Sequence, residues 1–232
     1  MKKLFVIPAR AGSKRLPGKN KINFSGQPLY QHTINFVMDV ASLKTDSCIF
    51  TSDISGVPDY SAGNDFFISY SRPDDLSRDD STSNDTIMHA INHASSVGRK
   101  FDIVILLQVT SPLRTKDGYF RFLKSIEAQE NHKYRSHTSV SRLPVAPYEL
   151  GIIEENCSSF KLFSKPPGIS NQHWKGQNLG FEDGCFYASF SEFIKKHGSF
   201  TDTDLCSFHF AEKLFQIDID NDFDLKIAEQ LF

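Results

Sequence analysis

Three features of this sequence predict an α/β fold built on an open, doubly wound, mostly parallel sheet. Apolar runs of strand length alternate with segments of helical periodicity. The run Ile103-Val-Ile-Leu-Leu107 has no polar alternation, which is how a central parallel strand covered on both faces reads. Arg10, Asp53 and Gln108 each follow directly on a strand end, and sheets of this kind bind ligands in the crevice beyond their carboxyl ends.

The elements follow in order. Residues 4–7, within Lys3-Leu-Phe-Val-Ile-Pro8, make the first strand. Residues 28–43 read as a helix, because Leu29, Ile34, Val37 and Val40 recur at helical spacing and Pro28 suits a first turn. Cys48-Ile-Phe-Thr-Ser52 is the second strand and Phe66-Phe-Ile-Ser69 a short third. Residues 82–97 form a helix with Ile87, Ala90, Ile91 and Ala94 on one face, capped by Ser83 or Asn84. Helix 115–129 follows the central strand, and 138–142 is a further strand. Pro144, Pro147, Pro166 and Pro167 then mark a turn-rich stretch, so 135–177 reads as an excursion from the core sheet. Strand 185–188, helix 191–197, a last core strand 215–220 and a closing helix 222–231 complete a single domain of 232 residues.

Composition narrows the function. The formal net charge is −2, so no global field favours nucleic acid. Positive charge is concentrated in one N-terminal loop, which suits a small anionic ligand. Cys48, Cys157, Cys185 and Cys206 show no C-x-x-C spacing, which argues against a zinc site or redox pair and reads as reduced thiols of a cytoplasmic protein. Neither a signal peptide nor a membrane span is expected.

The loop Ala9-Arg10-Ala-Gly12-Ser13-Lys14-Arg15-Leu-Pro17-Gly18-Lys19-Asn20-Lys21 sets five cations around two glycines straight after a strand. Glycines let backbone N–H groups approach phosphate oxygens, and the cations offset polyphosphate charge. It is not a Walker A motif: Gly12 and Gly18 are one residue too far apart, and Asn20 stands where a magnesium-binding hydroxyl belongs. Near the other end, Phe215-Gln-Ile-Asp218-Ile-Asp220 alternates strictly. On a strand this puts both carboxylates on one face, roughly 7 Å apart along the chain. They either face water or hold a hard cation such as Mg²⁺. A phosphate-binding loop in the same chain favours the cation. Gln108 and Thr110 are polar where the central strand emerges.

Ile7-Pro-Ala-Arg-Ala-Gly-Ser-Lys-Arg-Leu-Pro-Gly-Lys-Asn20, followed by Gly26-Gln-Pro-Leu29, resembles the opening motif of the acylneuraminate cytidylyltransferases, the CMP-sialic acid synthetases. Thr51-Ser52-Asp53, Ser71-Arg72-Pro73 with Ser81-Thr82-Ser83, Leu107-Gln-Val-Thr-Ser-Pro-Leu-Arg114 and Ile217-Asp-Ile-Asp220 are similar to further motifs of that family, in the same order. The resemblance implies a Rossmann-like nucleotidyltransferase in which the anomeric hydroxyl of a nonulosonic acid attacks the α-phosphate of CTP and pyrophosphate leaves. It implies that Arg10, Ser13, Lys14 and Lys19 hold the triphosphate and that Asn20, Arg72 and Ser83 contact the nucleotide. Gln108 and Thr110 would meet the sugar, and Asp218 and Asp220 would hold Mg²⁺. Arg10, Lys19, Asp218 and Asp220 are the expected catalytic group. The segment 135–177 stands where the family carries a dimerisation arm, implying a homodimer with Trp174 and Phe163 as anchors. Pro147-Tyr148-Glu149 and Phe181-Glu-Asp183-Gly184-Cys185 depart from the sialic acid pattern, the latter toward the pseudaminic acid branch. Sialic, legionaminic and related acids thus stay open as acceptors. An octulosonate cytidylyltransferase and an inactive nucleotide-binding relative are the alternatives.

Overall fold

The computed structural model describes residues 1–13, 15–78, 81–128, 135–142, 151–154, 159–162, 180–201, 205–211 and 217–232, with only the backbone of 151–154 and 159–162. Lys14, Glu149, Phe163, Trp174 and Phe215, all singled out above, lie outside the described residues.

Six strands form the main sheet: β1 (Lys3–Ala9), β4 (Ser47–Ser52), β5 (Ile103–Leu106), β6 (Ser136–Arg142), β9 (Gly180–Phe190) and β10 (Cys206–Phe210). Two short pairs stand apart, β2 (Asn23–Phe24) with β3 (Gln27–Pro28) and β7 (Gly151–Glu154) with β8 (Ser159–Leu162). The order in the main sheet is β10-β6-β9-β5-β1-β4. β4 and β5 flank β1 in parallel, and β10 runs parallel to β6. β9 is antiparallel to both its neighbours, so the sheet is mixed but mostly parallel, as the expected fold class requires.

The chain moves from β1 outward to β4, then returns to the other side of β1 as β5. This reversal opens a crevice at the carboxyl ends of β1 and β5. Both faces of the sheet are covered. Phe5, Ile7, Ile103 and Ile105 meet the buried residues of α1 (Leu29–Val40), Tyr119, Phe122 and Ile126 of α3 (Lys116–Glu127), and Ala228 of α5 (Asp222–Leu231). Leu4, Val6, Val104 and Leu106 meet Ile87, Ala90, Ile91 and Ala94 of α2 (Ser83–Ser96) and Ile194 of α4 (Ser191–His197). Two-sided burial is why β1 and β5 are apolar without alternation. Among the described residues no helix is long and apolar enough to cross a membrane.

Four expectations need correction. The third strand is reduced to one parallel bridge, Cys48 to Phe67, because two backbone hydrogen bonds to Cys48 are all it makes there. The described part of the last expected strand, 217–220, lies outside the sheet. Its Ile219 N–H donates to the carbonyl of Thr110 in the loop after β5, at 2.8 Å. Alternation still sorts the side chains, with Ile219 buried in the core, but among the described residues no strand edge pairs this segment. The start of the expected excursion, as far as Arg142, belongs to β6 inside the main sheet. The cap of α2 is Thr82, one residue before the two candidates.

Candidate functional site

The loop after β1 is braced by its own polar groups. Gly18 takes φ +67° at the start of a 3-10 turn, Lys19–Lys21, a conformation that glycine reaches without a Cβ clash. Asn20 is buried, and its Nδ2 donates to the Arg10 carbonyl at 2.9 Å. Asp53, just beyond β4, accepts from the Ala11 N–H at 2.6 Å. Asp53 therefore fastens the loop to the end of the neighbouring strand and does not itself line the crevice.

A cleft of about 550 Å³ lies at the carboxyl ends of β1 and β5. Arg10, Ser13, Lys19 and Asn20 line it from the loop, Arg72 and Ser83 from one flank, Gln108 and Thr110 from the exit of β5, and Asp218 and Asp220 from the C-terminal segment. Apart from Asp53, every described residue among the sequence candidates is thus in one cleft. Lys14 lies outside the described residues. Lys21 of the same loop is turned elsewhere, its Nζ donating to the Ser55 carbonyl at 3.2 Å.

Two cations meet Asp220. Lys19 Nζ lies 2.8 Å from Oδ1 and Arg15 Nη1 2.5 Å from Oδ2. Arg15 was not among the sequence candidates, although its place in the cationic loop was the available signal. Thr86 and Ile87 were also missed as cleft residues. They stand three and four positions after Ser83, on the same face of α2, which is the pattern that could have found them.

On the nucleotide flank, Arg72 donates through Nη2 to the Leu76 carbonyl at 2.5 Å, while its Nε is buried without a partner among the described residues. Burial pulls the basicity of Arg72 down, Asp53 and Tyr70 raise it, and the neighbouring charge of Arg10 lowers it again. Two guanidinium groups so close together suit an anion. The first turn of α2 adds its N-terminal end to the same flank, with Thr82 as cap.

Asp218 supplies the sharpest local signal. Among the described residues its Oδ1 is buried with no hydrogen-bond partner. Burial pushes this carboxyl above the ordinary carboxylate range and Asp220 adds to the rise, against a hydrogen bond from the Thr110 side chain and the charges of Lys19 and Arg15. A buried carboxylate oxygen without a donor costs stability, and an oxygen-seeking cation removes that cost. Asp218 and Asp220 therefore fit a hard divalent cation, of the kind held by one or two carboxylates plus substrate phosphates.

At the β5 exit, Gln108 lies against Gly184. Asp183, beside it on β9, does not reach for a substrate. It is buried and accepts hydrogen bonds from the hydroxyls of Ser139 and Ser141 and from the Cys185 N–H. Arg114, also buried, donates to the Gln108 carbonyl.

Residues 4–150 match the model of a family described as cytidylyltransferase. Over 149 residues the chain is 35% identical to the CMP-N,N'-diacetyllegionaminic acid synthase of Legionella pneumophila, a stretch covering 63% of this chain and 60% of that protein. Over 129 residues it is 32% identical to the pseudaminic acid cytidylyltransferase of Campylobacter jejuni, covering 54% of this chain and 55% of that one. The matched stretch is thus little more than half the length of either relative. In fold it is similar to a CMP:2-keto-3-deoxy-manno-octonic acid synthetase complexed with CTP, with a TM-score of 0.66, 17% identity, and 100% of this chain and 98% of that chain covered. With the family model matching well over half its length, and a mostly parallel sheet whose crevice gathers the expected residues, this chain belongs to the cytidylyltransferase family.

Proposed function

We propose that the protein is a CTP-dependent cytidylyltransferase that activates a nonulosonic acid as its CMP conjugate. The observation that carries this reading is the meeting of the N-terminal cations with Asp218 and Asp220 in one cleft. The names of the relatives above, a legionaminic and a pseudaminic acid enzyme, support the acceptor class.

In this reaction the oxygen of the sugar acid's anomeric hydroxyl attacks the α-phosphorus of CTP, and the hydroxyl proton is released to solvent. The bond from that phosphorus to the bridging oxygen breaks, and pyrophosphate leaves with the electron pair. Phosphoryl transfer asks the protein mainly for positioning and charge neutralisation. Arg10, Ser13, Lys14 and Lys19 would hold the triphosphate, and Asn20, Arg72 and Ser83 the nucleoside side. Gln108 and Thr110 would orient the acceptor. Asp218 and Asp220 would hold Mg²⁺, which when bound neutralises phosphate charge and lowers the pKa of an attacking hydroxyl. A homodimer formed through the 135–177 segment and a cytoplasmic location belong to the same reading.

The test is pyrophosphate release from CTP and Mg²⁺ with sialic, legionaminic, pseudaminic and octulosonate sugars in turn. Release with one of the first three is expected. Release with octulosonate alone would reassign the acceptor, and silence across the panel would leave a nucleotide-binding protein without this activity.

A further inference from the structure

Arg114 is only 7% exposed, yet among the described residues it makes no ion pair with a carboxylate. Its Nη1 donates to Thr33 Oγ1 of α1 at 3.0 Å and its Nη2 to the carbonyl of Gln108 at 2.5 Å. The guanidinium carbon lies 5.8 Å from the centre of the Phe36 ring, and Nε has no hydrogen-bond partner. A buried cation is a poor way to fill core space, since an apolar side chain of similar volume avoids the desolvation cost. Its tolerance here needs a reason, and the group it holds supplies one. Gln108 is the cleft residue at the exit of β5, and a planar guanidinium whose other arm is anchored on Thr33 fixes its carbonyl more firmly than a single flexible donor does.

Gln108 is constrained from a second direction. Gly184, at φ +75°, sits where a Cβ would come within 2.9 Å of Gln108 Oε1. The missing side chain at 184 leaves the space that the amide of Gln108 occupies. Asp183 holds this turn of β9 from beneath, through Ser141 and the Cys185 N–H.

We propose that Arg114 is a positioning residue for the acceptor end of the cleft. It holds the backbone of Gln108 from behind, while Gly184 leaves room for the amide, so that Gln108 presents its donors and acceptor to the sugar acid in one orientation. The inference rests on the reaction proposed above. Among the described residues this buried arginine forms no ion pair, although the charges of Asp218 and Asp183 favour its charged form, and its described hydrogen bonds go to Thr33 and Gln108.

The test compares Arg114→Lys, Gln108→Ala and the double variant, using whichever sugar acid gives turnover with the wild type. Arg114→Lys keeps the charge and loses the fork. It is expected to raise KM for the sugar about tenfold while KM for CTP stays within about twofold. The double variant should be no worse than Gln108→Ala, because one residue acts through the other. Additive losses, or an equal rise in KM for CTP, would overturn the proposal. Thr33→Val removes one leg of the fork and should raise the same KM about threefold, and it carries the comparison should Arg114→Lys fail to fold. A readout free of the sugar separates this inference from the reaction itself. The side-chain amide resonance of Gln108, assigned by its loss in Gln108→Ala, should shift in both Arg114→Lys and Thr33→Val while that of Asn20 does not. An unmoved Gln108 resonance would sink the positioning role even if every sugar turned over, and a silent wild type would sink the reaction without touching this measurement.

Discussion

Lys19 and Asp220 face each other across the cleft with side-chain exposures of 11% and 25%, and the second cation on Asp220, Arg15, is 71% exposed. The exposed Arg15–Asp220 pair contributes little to stability, and Arg15 would still partner Asp220 if Lys19 were removed. The value of both pairs lies in keeping cations available where phosphate charge would arrive. Lys19→Ala is expected to lower kcat by about 10²–10³, the loss seen for one preorganised donor at developing charge, with a stability change within about 1 kcal/mol. Steady-state pyrophosphate release and urea denaturation check the two halves, and an unchanged kcat would remove Lys19 from the machinery. Asp183 behaves differently because it is buried. Burial lifts its carboxyl above the ordinary value of 3.8, against the hydrogen bonds from Ser139, Cys185 and Ser141 and the charge of Arg114. A raised folded-state pKa means that the fold binds this proton more tightly than the unfolded chain does. The resulting stability is present in full below the ordinary value and is lost as pH rises through the folded one. Asp183→Asn cannot titrate. The stability of the wild type relative to this variant should therefore increase as pH falls from neutrality toward 3.8, measured by denaturant melts at several pH values. A difference independent of pH would contradict the assignment.

Among the elements, α2 shows how local chemistry serves the site. Thr82 and Asp85 form a capping box, with Asp85 N–H donating to Thr82 Oγ1 at 3.1 Å and Thr82 N–H to Asp85 Oδ2 at 3.2 Å. These bonds fix the first turn, whose Ser83 and Thr86 line the cleft. Thr82→Ala should lower stability by about 1 kcal/mol with no change in the denaturant m-value. Loss of less than a few tenths would show the box to be idle. Most elements were legible in the sequence because each carries its own period: α5 spans 222–231 as expected, and α1, α2 and α3 differ from expectation only near their ends. β10 was missed because Cys206-Ser-Phe-His-Phe210 is short, and its pairing partner β6 lies more than sixty positions earlier. The segment around Asp218 was read as a strand from alternation alone. Alternation reports which side chains are buried, not whether a neighbouring edge is free to pair.

For the whole molecule, the net charge of −2 hides a division of labour between a cationic loop and a carboxylate pair that meet only after folding. Asp220 neutralises Lys19 and Arg15 in the structure. Metal binding at Asp220 would leave these cations without a partner, and triphosphate binding to the cations would leave Asp220 beside negative phosphates. Binding of both together exchanges all partners at once. Mg²⁺ and CTP should therefore raise Tm by more than the sum of their separate shifts, and the excess should shrink in Asp220→Asn. Thermal melts with each ligand alone and with both decide the point: simple additivity in the wild type would show that the ion pairs do not couple the two.

The sequence by itself determined the fold class, most of the elements and most of the polar residues of the cleft. Glycines, cations and carboxylates at particular spacings already carry their chemistry before the chain folds. Tertiary structure alone decided which of those groups pair with each other. Asp53 braces a loop, Asp183 turns inward to two serines, and Arg114 stands behind Gln108, because hydrogen-bond partners far apart in the chain are chosen by the sheet order and by which polar atoms are cut off from water.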